Sequence, residues 1–336
     1  MPCMKLTRRS CLGTMLAGTL PGLFAAARAS SSAVINETWF DAARQREVPV
    51  TVRWPDASVN QGAPIPVVLF SHGLGGTREG GAVWGQAWAP AGLVVVHLQH
   101  AGSDLAAVRD VTHTFTDQQA LRRAATPAQL LARLNDVTFA LDEIGRRHAA
   151  RQERWATVRP TRVGMSGHSF GAHTTLGMAG QRYPGFAAIA EPRLAAFVAF
   201  SPSLPALGDA RQAFAAITRP LLCITGTRDS DVAGVGVTPE RRMAVFNALP
   251  VGNKAQLVLQ DADHMTFAGQ TGRAVEIVPR EPVTRDLQAA HHALVAAVTT
   301  DWWRATLLGD SAARQRLAAP TGLNQGDSWQ PDFSMK

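Results

Sequence analysis

Residues 161–175 read TRVGMSGHSFGAHTT, and the rest of the chain is organised around them. A short apolar run, Val163-Gly164-Met165, leads into Gly167-His168-Ser169-Phe170-Gly171, and small, helix-compatible residues follow. This is Gly-x-Ser-x-Gly between an expected strand and an expected helix. The spacing has a physical reason. A serine on a sharp strand-to-helix turn exposes its Oγ above the sheet, and the positions two before and two after it have no room for side chains. Gly167 and Gly171 occupy those positions. The helix start behind Ser169 adds unpaired backbone N–H groups and the positive end of the helix dipole. Ser169 is therefore the candidate nucleophile.

Outward from this stretch, strands and helices alternate. Residues 37–40 and 48–54 read as two strands joined by a polar turn, an antiparallel edge. Residues 65–70 (IPVVLF) form an unbroken apolar run, the pattern of a strand buried on both faces, and end in Ser71-His72-Gly73-Leu74-Gly75-Gly76. Residues 80–92 read as a helix with Trp84 and Trp88 on one face, and 93–98 (LVVVHL) as a second buried strand. Residues 127–147 form an amphipathic helix that starts at Pro127. Beyond the serine, 195–200, 221–225 and 256–259 read as strands, the last of these being the final one. Helices are expected at 210–217, 239–249 and 286–308. Two irregular segments, 101–126 and 268–285, read as walls or a cap over a site. From Ser311 the chain reads as a polar tail with little to bury. The pattern predicts an α/β fold, a mostly parallel doubly wound sheet with its site at the carboxyl ends of the strands.

A serine nucleophile needs a base, and the base needs a group to orient it. In an arrangement of this kind the chain order is serine, acid, histidine. His264 follows the strand at 256–259 and is the candidate base. Asp229 follows the strand at 221–225, just past Gly226, and is the candidate acid. Asp231 is the alternative, and Asp209 a weaker one. His72 and His168 read as parts of backbone turns, and His291 and His292 as helix residues distal to the sheet ends. A developing oxyanion needs two N–H donors. Phe170, next after the serine, supplies one candidate amide, and Leu74, after the strand at 65–70, supplies the other.

Ser71-His72-Gly73-Leu74-Gly75 followed by Gly167-His168-Ser169-Phe170-Gly171 resembles the α/β-hydrolase superfamily. Within it the chain is similar to the branch of dienelactone-hydrolase-like proteins, polyester-cleaving cutinases and platelet-activating-factor acetylhydrolases. The acetylhydrolases resemble it most in the SHGLG and GHSFGA segments. The resemblance covers roughly residues 45–305. It implies a cofactor-free carboxylic-ester hydrolase with Ser169 as nucleophile, His264 as base, and Leu74 and Phe170 as oxyanion donors. Two features depart from the pattern. Acetylhydrolases carry the acid after the strand that follows the nucleophile helix, but here that strand ends Phe200-Ser201, so the acid moves to Asp229 as in cutinase-like enzymes. Dienelactone hydrolases use cysteine where this chain has Ser169. The expected activity is a serine carboxylesterase. The alternatives are a lipase or polyester hydrolase, an acetylhydrolase of phospholipid-type esters, and a catalytically silent binding protein of the same fold.

The first residues carry a further signal. Lys5, Arg8 and Arg9 form a basic region, 12–24 is modestly apolar, and Ala27-Arg28-Ala29 offers a cleavage site. Residues 1–29 read as a twin-arginine-type signal peptide, with Cys11 departing from the usual pattern, and 30–336 as one catalytic domain in the periplasm or outside the cell. Cys3 and Cys11 leave with that leader, and Cys223 alone cannot form an internal disulfide. The formal charge is +7, but the arginines are scattered without interleaved aromatics, so nucleic acid is not an expected partner. No later run is long enough to span a membrane. No His-Glu-x-x-His or similar ligand spacing points to a metal. The expected partner is a small-molecule, lipid or polymer ester. Nothing in the sequence indicates the oligomeric state.

Overall fold

The computed structural model describes residues 33–60, 62–109, 121, 123–185, 188–232, 234, 236–272 and 278–333. The expected leader, 1–29, lies outside these residues, as do 110–120, 122 and 273–277 of the two expected walls.

Among the described residues, nine strands form one sheet in the order β1-β2-β4-β3-β5-β6-β7-β8-β9. They are β1 (Val34–Asp41), β2 (Arg46–Arg53), β3 (Ile65–Ser71), β4 (Val94–Leu98), β5 (Val158–His168), β6 (Leu194–Phe200), β7 (Leu221–Arg228), β8 (Lys254–Asp263) and β9 (Ser328–Asp332). The block from β4 to β8 is parallel throughout. β1, β2 and β9 are antiparallel additions at the two edges. The fold is α/β, a mostly parallel sheet flanked by helices. The cause is visible in the strands: β3 and β4 are buried along their whole length, as their unbroken apolar runs demand.

Helices cover both faces. One core holds Leu130, Leu134, Val137 and Ile144 of α3 (Pro127–Ala149) with Leu176 of α4 (Phe170–Ala179). Thr126 caps α3 by accepting the Gln129 N–H, and Pro127 opens its first turn. The other core holds Trp84 and Trp88 of α1 (Ala82–Trp88) with Trp302 and Trp303 of α7 (Pro282–Trp303). Trp84 stacks on Phe200 with ring centroids 5.3 Å apart, and Trp88 meets Trp303 edge-on at 5.7 Å. Cys223 is buried in the first core, and burial pushes its thiol up to about 12, which makes it inert. Among the described residues no helix is long and apolar enough to cross a membrane.

The carboxyl-terminal third departs from expectation. The strand expected at 256–259 runs from Lys254 to Asp263 and is not the last. The tail forms a helix, α8 (Ser311–Ala318), which buries Ala313 and Leu317, and then β9, which pairs with β8 from Lys254↔Asp332 to Val258↔Ser328. β9 reads SWQPD and has no apolar run, because an edge strand is held mainly by its ladder on one side. Pro331 is tolerated for the same reason. The closing helix begins at Pro282, where a proline suits the first turn, and ends at Trp303 in a wide π turn, Arg304–Leu308. Within the expected wall at 101–126, residues Leu105–Arg109 form the short helix α2.

From β3 the chain crosses to β4 on one side, then returns to place β5 on the other. The sheet reverses its winding direction there. The chain therefore leaves β3 and β5 in opposite directions, and that reversal is the usual place for a site in such a sheet.

Candidate active site

Ser169 stands between β5 and α4 at φ 56°, ψ −113°, a conformation that L-residues rarely adopt. Its N–H donates to the Phe200 carbonyl at 3.0 Å, and its own carbonyl accepts the Ala172 N–H at 2.8 Å. The two flanking glycines are sterically required. A Cβ on Gly171 would lie 2.0 Å from the Ser71 carbonyl oxygen, and one on Gly167 would lie 2.3 Å from the Gly171 carbonyl oxygen. Gly73 is pressed against the same turn, since its Cβ would come 3.5 Å from Ser169 Cβ.

The structure brings Ser169, His264 and Asp229 together. Ser169 Oγ lies 2.9 Å from His264 Nε2, and His264 Nδ1 lies 2.7 Å from Asp229 Oδ1. An ionised carboxylate can only accept, so Nδ1 carries the proton and Nε2 is left free to accept from the serine hydroxyl. His264 begins a one-turn 3₁₀ segment, His264–Ala268, directly after β8. Asp263 caps that segment through the Thr266 N–H and pairs with Arg280 at 2.6 Å, so it faces away from the histidine's partners.

Asp229 is fully buried beyond the end of β7. Burial alone would push its carboxyl up, but the charge of Arg242 and the neighbouring His264 bring it down to about 2. Thr225 Oγ1 also donates to Asp229 Oδ2 at 2.8 Å. Asp231 accepts from the Gly236 N–H at 3.0 Å, and Asp209 caps α5 (Ala210–Phe214). Neither takes the place of Asp229 beside the histidine.

Leu74 and Phe170 line the same pocket as Ser169 and His264. Among the described residues neither backbone N–H has a hydrogen-bond partner. Phe170 is the first residue of α4, where helix amides are orphaned by geometry. The pocket encloses about 210 Å³. Leu74, Leu121, Phe170, Val232, Val237 and Met265 supply apolar wall. His173 and Ser203, 3.2 Å apart, supply a polar corner.

Several residues here escaped the reading of the sequence. Arg242, on α6 (Pro239–Ala248), is buried and approaches Asp229 Oδ1 at 3.0 Å. It also donates to the carbonyls of Asp229 at 2.8 Å and Ser201 at 2.6 Å. Nothing in Pro-Glu-Arg-Arg distinguishes it from Arg241. His168 is more than part of a turn, since its Nε2 donates to the His264 carbonyl at 2.9 Å. His292 is not distal to the sheet ends. It donates to the Thr266 carbonyl at 2.9 Å and so braces the turn that bears His264. A second, wholly buried Ser-His-Asp set lies behind the loop after β3. Ser71 Oγ is 2.9 Å from His100 Nε2, and His100 Nδ1 is 3.0 Å from Asp136 Oδ2. With no exposure it has no access to substrate, and its place is structural.

Among the described residues no cluster of three or more His, Cys, Asp or Glu side chains could hold a metal ion. Comparison with family models gives no match, and comparison with curated proteins gives no relative.

Proposed function

We propose that the chain is a serine carboxylic-ester hydrolase of the α/β-hydrolase fold, exported by its leader. The observation that carries this reading is the unbroken hydrogen-bonded line from Ser169 Oγ through His264 to the buried, ionised Asp229, opening on an apolar pocket. Ser169 Oγ attacks the ester carbonyl carbon while His264 Nε2 takes its proton. Asp229 holds the tautomer and stabilises the imidazolium. The carbonyl oxygen becomes an alkoxide and takes hydrogen bonds from the Leu74 and Phe170 amides. On collapse the C–O bond to the alcohol breaks, and the imidazolium returns its proton to the leaving oxygen. Water activated by His264 then attacks the acyl-serine, and the acid leaves. No step draws on a cofactor.

The cavity, at about 210 Å³, is below the usual 300–1,000 Å³ of sites for drug-sized ligands, which favours short acyl groups. An ester panel on the mature protein tests both points. Short p-nitrophenyl esters should be cleaved best, and Ser169→Ala should lower their turnover by at least about 10⁴-fold while leaving the fold intact. Full activity in Ser169→Ala would sink the mechanism. A preference for long-chain or polymeric esters would move the reading to a lipase or polyester hydrolase, and a preference for acetylated phospholipid-type esters to an acetylhydrolase.

A further inference from the structure

We propose that Arg133 is the positioning residue of the oxyanion loop, an inference that rests on the ester-hydrolase reading. Arg133 lies on α3 with no exposure to solvent. Burial presses its guanidinium down to about 9, which leaves it charged at neutral pH. A fully buried guanidinium is costly unless its N–H groups are satisfied. Here they are spent on the loop after β3 and its support. Nη1 donates to the His72 carbonyl at 2.6 Å, Nη2 to the Gly73 carbonyl at 3.3 Å, and Nε to Ser103 Oγ at 2.8 Å. Its carbon centre also sits 4.4 Å from the centroid of the Phe170 ring. One side chain therefore touches both halves of the proposed oxyanion hole without lining the pocket itself.

The geometry of a peptide explains what this does. In a planar trans peptide the C=O and the following N–H point in opposite directions. The Gly73 carbonyl and the Leu74 N–H belong to one peptide, so holding the carbonyl inward aims the amide outward. Three donors hold that carbonyl. Besides Arg133 they are the Gly76 N–H at 3.1 Å and His72 Nδ1 at 2.5 Å. His72 Nε2 accepts the His100 N–H at 3.0 Å, so Nδ1 carries the proton and donates. Turning Leu74 N–H away from the pocket would break all three bonds and take one acceptor from the buried guanidinium. The Ser71–His100–Asp136 set completes the support, with Ser71 Oγ within 3.4 Å of Arg133 Nη1.

The test compares a p-nitrophenyl ester with its thiono analogue. In the analogue the atom that gains charge is sulfur, a weaker hydrogen-bond acceptor than oxygen, so the amide pair helps it less. Arg133→Met should lower kcat on the oxygen ester about 100-fold with KM changed less than about threefold, and should lower the thiono ester less than about tenfold. The oxygen-to-thiono ratio then falls at least about tenfold. Arg133→Lys should recover part of the ratio, since an ammonium can reach one carbonyl but lacks the fork. If Arg133→Met does not fold, Ser103→Ala carries the test, because it removes the acceptor of Arg133 Nε and should lower the ratio about threefold. An unchanged ratio in the folded variant, or an equal loss on both substrates, overturns the proposal alone. A wild type with no Ser169-dependent hydrolysis overturns the ester-hydrolase reading first.

Discussion

Asp229 and Asp231 stand two residues apart after the same strand, and their spacing along the chain does not rank them. Position in space does. Asp229 is buried against His264 and Arg242, whereas Asp231 is half-buried and holds a loop amide. Asp229→Asn should lower kcat about 10⁴-fold by letting the histidine take the wrong tautomer. Asp231→Asn should cost less than about tenfold. Steady-state kinetics of the two variants decide it, and the opposite ranking would move the acid. The sign of the Asp229 shift bears on acid conditions. Its folded pKa, about 2, lies below the ordinary 3.8, so its share of stability is complete above pH 4 and is lost as pH falls towards 2. Ser169, Asp229 and His264 were legible as candidates because each follows a strand in a fixed chain order. Arg133 and Arg242 were not. The carbonyls they hold lie 13 to 61 positions away in sequence, and no local pattern announces such pairings.

At the scale of elements, the strand-turn-helix around Ser169 is built by exclusion. Glycine is needed at 171 because the Ser71 carbonyl oxygen lies where a Cβ would go. Gly171→Ala should therefore destabilise the protein by about 3 kcal/mol or more, since backbone, not a movable side chain, is in the way. Gly145 is the internal control. It lies within α3, and a Cβ there would meet nothing within 4 Å, so Gly145→Ala should stabilise by about 0.5–1 kcal/mol. Urea unfolding of both variants measures the contrast, and similar effects in the two would refute the steric account. The buried parallel strands were legible because apolar runs such as VVLF and LVVVHL permit little else. The last helix and β9 were not, because Ser-Trp-Gln-Pro-Asp is held by the ladder with β8 and carries no periodic signal of its own.

At the scale of the molecule, the described strand ends bring the residues of the proposed chemistry to one pocket. β3 supplies the loop with Leu74, β5 the turn with Ser169, β7 Asp229 and β8 His264, and the sheet reverses its winding between β3 and β5. The helices on both faces keep these strand ends fixed relative to one another, which a three-residue hydrogen-bonded line requires. The sequence pattern of alternating strands and helices anticipated this layout, while the packing of α3 against the loop after β3 could only be seen in three dimensions. Ser169 is proposed as an activated nucleophile rather than a strained residue in a binding pocket. Labelling the intact mature protein with a fluorophosphonate and mapping the adduct by peptide mass tests it most directly. One adduct is expected, on Ser169, absent from Ser169→Ala and formed far more slowly in Asp229→Asn; no adduct, or one on another residue, would rule out Ser169 as the nucleophile.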